Sequence, residues 1–315
     1  MELANYCQNG DLAALQAYCI RANVTAVQVQ IFNALQTACE NGHLEVARWL
    51  QQTFKLTTTD ARCDDNYTLR VVCLKGHLEV ARWLQQTFQL TALDARTDNN
   101  YALRWACANG HLDIAHWLQQ TFQLTAADAR ARDNHALLGA CVNGHLEVAH
   151  WLQQTFQLTA ADARAQDNNA LRGICARGYL AVAHWLQQTF QLTAADARAR
   201  DNSALQWAYA RGHLEVIRWL QRTWGIPPKD LTFVIVNYLN SICATYVQHL
   251  RTLSWSPRTH ADFPLHARSL ALRLLLVYQR LVLGLGEPNE PNEPSGLPYL
   301  PPELWLHLLS YLPAW

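Results

Sequence analysis

Apolar and polar residues follow a helical period along most of the chain, and the whole pattern recurs every 34 residues. One tryptophan and one glycine mark each copy. The tryptophans are Trp49, Trp83, Trp117, Trp151, Trp185 and Trp219, and the glycines are Gly42, Gly76, Gly110, Gly144, Gly178 and Gly212. Recurrence at this length indicates a solenoid, in which each unit buries its apolar face against the next.

Each copy predicts two helices and one short extra turn. The stretch YTLRVVCLK is a first helix that Gly76 ends, and Asn66 lies just before it at the N-cap position. The asparagines at the same position are Asn100, Asn134, Asn168 and Asn202. A second helix runs from about Leu78 to Phe88. In LTAADAR, Thr125 and Asp128 have the offset of a capping box, and no stretch shows the period of a strand.

The copies resemble the ankyrin repeat. YALRWACANGHLDIAHWL, which starts at Tyr101, follows the ankyrin pattern T-P-L-H-x-A-A-x-x-G-H-L-x-V-V-x-x-L. Pro and His of the opening are absent, and LTAADAR-type segments replace the β-turn fingers of the family. The resemblance implies an all-α ankyrin-repeat solenoid of stacked helix pairs with a helical C-terminal cap, and with helical turns between units. This variant is similar to ankyrin proteins of giant DNA viruses.

The domain boundaries follow from where the repeat begins and fails. We expect a degenerate N-terminal capping repeat at 1–31, ankyrin repeats at 32–224, a helical cap at 225–286, a Pro-rich linker at 287–296 and an F-box-like helix at 297–315. The uncharged run from Leu231 to Leu250 is long enough to span a bilayer. Its asparagines and His249 favour a capping helix instead, so we expect no membrane contact.

Differences between the copies indicate where a partner binds. The second helix hardly changes, whereas the first helix and the loop before it vary. These are the positions at which partners of ankyrin proteins usually dock, and Trp, Tyr and Arg are enriched at interface hot spots. The predicted protein-binding strip consists of Tyr67, Arg70, Tyr101, Arg104, Trp105, Arg132, His135, Arg172, Arg200 and Trp207. Neutral drift on a solvated face is the alternative.

Charge narrows the class of partner. The chain has 25 basic and 25 acidic residues, so its net charge is zero, which argues against a nucleic-acid footprint. The loop position changes from Asp64 and Asp98 to Arg132 and Arg200 along the chain, which predicts a partner with graded charge. The opening residues lack a signal-peptide pattern, so we expect a cytoplasmic location, in the host cell if the protein is viral.

Three other recurring sets are interpreted as structural. Cys39, Cys73, Cys107, Cys141 and Cys175 occupy one small core position, and the tryptophans occupy another. Arg62, Arg96, Arg130, Arg164 and Arg198 recur with aspartates from Asp60 to Asp196, which predicts an ion-pair or capping ladder. His111 and His116 are five residues apart and so lie on different helix faces, which disfavours a metal site. No catalytic motif is present, so we expect no enzyme activity, cofactor or metal.

The C-terminal segment LPYLPPELWLHLLSYLPAW resembles the opening of an F-box. The matching residues are Leu300, Pro301, Glu303, Leu304, Leu308, Leu309 and Leu312. In that family the helix binds the Skp-type adaptor of a cullin ubiquitin ligase. We therefore expect a non-enzymatic adaptor whose stack holds a target protein. The alternatives are a passive scaffold or virus-particle component, a suppressor-of-cytokine-signalling box at 264–312, and a last helix that folds back on the cap.

Overall fold

The structure is a computed structural model that describes residues 2–25 and 29–225. They belong to the first of two units of the chain, Met1–Pro227. Two helix pairs come first: α1 (Glu2–Asn9), α2 (Leu12–Ala22), α3 (Val29–Glu40) and α4 (Leu44–Phe54).

Five 34-residue units follow, and each contains a short helix, a first helix and a second helix. In order they are α5 (Thr58–Ala61), α6 (Cys63–Lys75), α7 (Leu78–Phe88); α8 (Ala92–Ala95), α9 (Thr97–Ala108), α10 (Leu112–Phe122); α11 (Ala126–Ala129), α12 (Ala131–Val142), α13 (Leu146–Phe156); α14 (Ala160–Ala163), α15 (Ala165–Arg177), α16 (Leu180–Phe190); and α17 (Ala194–Ala197), α18 (Ala199–Ala210), α19 (Leu214–Trp224). The part of the chain that is described contains no strand. The predicted all-α class, the helix pairs and the helical turns between units are confirmed there.

Apolar side chains from both helices of each pair form one continuous core. Leu103 and Cys107 from α9 and Leu118 from α10 are completely buried, and equivalent residues repeat this along the stack. The five cysteines predicted to be core residues are buried and unpaired, as expected. Trp117, Trp185 and Trp219 are buried, whereas Trp49, Trp83 and Trp151 are partly exposed. Each contacts the phenylalanine or tryptophan five residues later edge-on.

An ion-pair ladder joins successive units. Asp128 accepts hydrogen bonds from the Thr125 amide (2.8 Å) and hydroxyl (3.0 Å), which caps α11. It also accepts two from Arg96 of the preceding unit. The same arrangement joins Arg62 to Asp94, Arg130 to Asp162 and Arg164 to Asp196. The predicted capping boxes are confirmed, and the predicted ladder is confirmed for these four arginines, each of which pairs with the aspartate of the next unit rather than its own. Arg198 forms no ion pair with the described residues.

The ladder sets the ionisation of its aspartates. Burial alone would raise the pKa of Asp196, but hydrogen bonds from Arg164 and from the backbone and hydroxyl of Thr193 outweigh it. The pKa of Asp196 is lowered to about 2 as a result. The carboxylate is therefore charged at every physiological pH, and the ion pair is permanent under those conditions.

A second ladder links the turns between first and second helices. Gly110 has a left-handed backbone (φ +80°), and a β-carbon there would lie 2.6 Å from Nδ1 of His145 in the next unit. His111 uses its Nε2 to hydrogen-bond the Leu74 carbonyl of the previous unit at 3.1 Å. Glycine is thus required at this turn for two reasons, because of its φ angle and because an imidazole occupies the space.

Three consecutive left-handed residues lead into each first helix. In α9 they are Asp98, Asn99 and Asn100, with φ of 50°, 52° and 60°. The predicted N-cap role of Asn66, Asn100, Asn134, Asn168 and Asn202 is wrong. An N-cap residue has extended backbone and its side chain accepts an amide hydrogen bond, whereas these have positive φ and their buried Oδ1 atoms accept none. Asparagine recurs here because it tolerates the left-handed conformation better than most residues.

Several predictions concern residues beyond 225. The helical cap at 225–286, the linker at 287–296 and the F-box-like helix at 297–315 lie outside the described residues, as does the run from Leu231 to Leu250. Within residues 2–25 and 29–225, no helix has the length and hydropathy needed to cross a bilayer.

Candidate functional site: the first-helix strip

The strip residues lie on the first helices α6, α9, α12, α15 and α18 and on the left-handed turns that precede them. Their exposure differs widely. Tyr67 (36%) and Trp207 (49%) are exposed, whereas Arg104 is only 5% exposed. Arg132 and Arg200 are also exposed, and the half-buried members are Arg70, Tyr101, Trp105, His135 and Arg172. The strip therefore combines exposed side chains with side chains that are packed within the stack.

Aromatic and cationic groups form a continuous cluster across α6, α9 and α12. The ring centroid of Tyr101 lies 5.1 Å from the guanidinium carbon of Arg70 and 5.7 Å from that of Arg104. The ring centroid of Trp105 lies 5.7 Å from that of Tyr101 and 5.4 Å from that of His135. Cation–π and ring contacts at these distances hold the side chains in place. This half of the strip is thus packed before any partner binds.

Hydrogen bonds fix the two arginines of this cluster. Arg70 donates from Nη1 to Asp98 Oδ2 (3.1 Å) and from Nη2 to the Asp64 carbonyl (3.0 Å). Arg104 donates from Nε to the Asn99 carbonyl (2.8 Å) and from Nη2 to the Asp98 carbonyl (2.9 Å). Burial lowers the pKa of Arg104, and Asp98 opposes this. Arg104 therefore braces the left-handed turn of its own unit.

The same brace recurs near the other end of the stack. Arg172 donates from Nε to the Asp167 carbonyl and from Nη2 to the Gln166 carbonyl, both at 3.1 Å. Gln206 braces the turn of its own unit with a single hydrogen bond, from Nε2 to the Asp201 carbonyl at 2.6 Å. Sequence reasoning missed this structural role, although a long polar donor five or six residues after the turn is a signal that could have identified it.

The charged loop positions are paired between successive units. Arg132 Nη2 lies 3.5 Å from Asp98 Oδ1, and Arg200 Nη2 lies 2.9 Å from Asp167 Oδ2. The arginines that replace aspartate along the chain therefore form ion pairs with aspartates of the preceding unit. A graded charge offered to a partner is correspondingly weakened, since each of these arginines has a carboxylate beside it.

An open pocket lies between α15 and α18. Its volume is about 150 Å³, and its lining residues are Asn169, Arg172, Gly173, Ala176, Trp207 and Arg211. Gly173 occupies the position that carries Trp105 and Trp207 in other units. A β-carbon there would overlap the Cγ2 methyl of Val142, so glycine is required by helix packing. Variation at this position is thus not free drift in every copy.

Metal coordination finds no support in the strip or elsewhere in the described ranges, where no group of three His, Cys, Asp or Glu side chains is placed to hold an ion. Burial, followed by the charges of Arg104 and Arg132, lowers the pKa of His135. Its imidazole is therefore a neutral ring within the aromatic cluster at neutral pH.

Comparison with known proteins identifies the repeat. Residues 69–162 match the ankyrin-repeat family model with three copies. These residues are ankyrin repeats. The same helix order and spacing continue on both sides of the match, so the described chain is an all-α ankyrin-repeat solenoid. Ankyrin repeats are protein–protein interaction modules and are typically non-enzymatic.

One solved structure and the curated proteins complete the comparison. The X-ray structure of an ankyrin repeat family protein from Legionella pneumophila is 20% identical, with 71% of this chain and 69% of that chain covered and a TM-score of 0.37. A comparison with curated proteins finds no match.

Proposed function

We propose that this chain is a non-enzymatic adaptor that binds a target protein on the first-helix strip. The observation that carries the proposal is Trp207, whose side chain is half exposed beside an open pocket. Tryptophan is the residue type most enriched at interface hot spots. The guanidinium of Arg211 lies 5.8 Å from the ring centroid of Trp207, so two residue types of interface hot spots are presented together here.

Affinity capture with strip variants tests this proposal. Trp207→Ala and Trp105→Ala remove contact residues without removing a turn brace, whereas changes at Arg104 or Arg172 would damage the fold itself. Leu93→Ala is the matched control, because Leu93 is 80% exposed on the short helix α8, away from the strip. Both tryptophan variants should lose a captured protein that the control retains, at unchanged helicity. Equal capture by all variants would overturn the proposal.

The finer form of the proposal adds a ubiquitin-ligase link. It is supported by the sequence resemblance of Leu300 to Leu312 to the opening of an F-box and by the apolar stripe that the sequence predicts for Leu304, Leu308, Leu309 and Leu312. Such a stripe suits the groove of a partner, here a Skp-type adaptor of a cullin ligase. The resemblance to ankyrin proteins of giant DNA viruses supports a target in the cytoplasm of a host cell.

Truncation separates this form from a passive scaffold or virus-particle component. Full-length chain and a chain ending at residue 296 are used to capture proteins from host-cell extract. Loss of Skp-type and cullin subunits from the truncated sample, with the strip-bound target retained, supports the adaptor. Absence of those subunits from both samples removes the ligase link and leaves the scaffold.

A further inference from the structure

The pocket between α15 and α18 has an unusual combination of groups. The exposed ring of Trp207 forms one wall, and the guanidinium of Arg211 lies 5.8 Å from its centroid. Arg172 and Gly173 also line the pocket. An apolar surface therefore lies directly beside two cationic groups.

Both cations keep unused donors. Arg172 spends Nε on the Asp167 carbonyl and Nη2 on the Gln166 carbonyl and Asn169 Oδ1, and its Nη1 bonds none of the described residues. Arg211 forms no ion pair with any residue in 2–25 or 29–225. No acidic side chain lines the pocket. The nearby ion pair of Arg200 and Asp167 is complete in itself.

The two arginines and the tryptophan define the chemistry of the ligand. Guanidinium groups prefer carboxylates, with which they form short charge-assisted hydrogen bonds. The tryptophan face adds an apolar contact next to that charge. We propose that this pocket anchors an acidic segment of the partner protein, with a carboxylate between Arg172 and Arg211 and a neighbouring apolar side chain against Trp207. This inference rests on the proposed function and names the chemistry of its partner.

A protein ligand fits these observations better than a nucleic acid. Nucleic-acid binding needs a row of basic groups along a backbone path, whereas this chain has no net charge and its other strip arginines are paired or braced. An oligonucleotide therefore enters the test as the competing ligand.

Fluorescence anisotropy with the full chain tests the inference. The probe is a labelled peptide of glutamates that includes one leucine and one phenylalanine, and its matched control has every glutamate replaced by glutamine. An oligothymidylate of the same length is the third probe. The acidic peptide should bind about tenfold more tightly than the glutamine peptide, and added salt should weaken it. Equal affinity for the two peptides, or tighter binding of the oligonucleotide, overturns the inference.

Variants locate the binding. Arg211→Gln and Trp207→Ala should each weaken the acidic peptide about tenfold. Arg177→Gln is the matched control, because Arg177 occupies the same position one unit earlier but donates to the Val142 carbonyl and Asn143. It should leave the affinity unchanged. Equal weakening by all three variants would show a diffuse charge effect and would overturn the site.

The two proposals fail in different ways. If Trp207→Ala abolishes capture of the target but no variant affects the acidic peptide, the strip function stands and the acidic ligand is wrong. If Trp207→Ala leaves capture intact while it weakens the peptide, the pocket chemistry stands and the proposed role of Trp207 in target binding is wrong.

Discussion

The guanidinium of Arg96 binds the carboxylate of Asp128 through two parallel hydrogen bonds, from Nε to Oδ1 at 2.8 Å and from Nη2 to Oδ2 at 3.1 Å. The pair crosses the boundary between two repeats. Because Asp128 also caps the short helix of its own repeat at Thr125, one carboxylate fixes both the local turn and the contact with the preceding unit.

Removal of the Asp128 carboxylate should lower the free energy of unfolding more than removal of a helix cap alone. Asp60 is the matched control, because it caps Thr57 in the same way but pairs with no arginine among the described residues. Asp60→Ala should lower the free energy of unfolding by about 1 kcal/mol. Asp128→Ala should lower it by about 3 kcal/mol, since Arg96 loses its partner. Urea unfolding followed by circular dichroism measures both, and equal losses would show that the ion pair adds nothing.

The histidine ladder should make the stack acid-sensitive. Burial lowers the pKa values of His77 and His145 below the ordinary value of 6.5. Folding therefore favours the neutral rings, so their contribution is complete above about pH 6.5 and is lost as pH falls through the lower folded pKa values. Each ring should contribute about 0.5 kcal/mol to the loss, because it is only partly buried. Unfolding free energies at neutral and mildly acidic pH measure this loss.

The chain supplies the control for the acid effect. Tyr179 replaces histidine in one unit, and its ring packs against Gly144 in the same place. His77→Tyr and His145→Tyr should therefore fold and show a flatter dependence of stability on pH. Burial also lowers the pKa of His135, which is unchanged in these variants, so His135 contributes to the slope that remains. An unchanged slope would exclude the two ladder histidines as its source.

Substitution of Gly173 by alanine should be tolerated only if Val142 is replaced by a smaller residue. Alanine normally gains about 1 kcal/mol over glycine within a helix. Here its β-carbon overlaps Val142, so Gly173→Ala should instead cost about 2 kcal/mol. The double variant Gly173→Ala with Val142→Ala should recover most of this loss relative to Val142→Ala alone. Denaturant unfolding of the four chains forms a double-mutant cycle, and strict additivity would contradict the packing argument.

Thiol labelling should distinguish Cys63 from the other cysteines of the described residues. Cys63 is exposed, whereas Cys73, Cys107 and Cys141 are completely buried, and burial raises the pKa of each of those thiols. Because the thiolate is the reactive form, iodoacetamide should label Cys63 quickly and the buried cysteines only after urea is added. Peptide mass mapping reads this out, and Cys63→Ser provides the control. Fast labelling of Cys107 in the native protein would contradict the fold.

The features that were predictable from sequence depend on short spacings. Helix limits such as Leu78–Phe88, the Thr125–Asp128 cap and the buried cysteines each follow from a pattern within one copy. The left-handed triplets were not predictable, because asparagine before a helix is typical both of an N-cap and of a left-handed turn. The pocket was missed because it is lined by Arg172 in one unit and by Trp207 and Arg211 in the next, a combination that no single copy contains.

The direction of the ladder has a consequence for how this protein can change length. The three units from α8 to α16 each offer an aspartate to the unit before and an arginine to the unit after, so the ladder contact is the same at each of these boundaries. Excision of residues 97–130 would set Arg96 against Asp162 at the original 32-residue separation, with the same cap and the same glycine turn. Gain or loss of whole copies by recombination therefore preserves the ladder contact, whereas first-helix contacts that depend on particular copies, such as Gly173 against Val142, would change with the order of the copies.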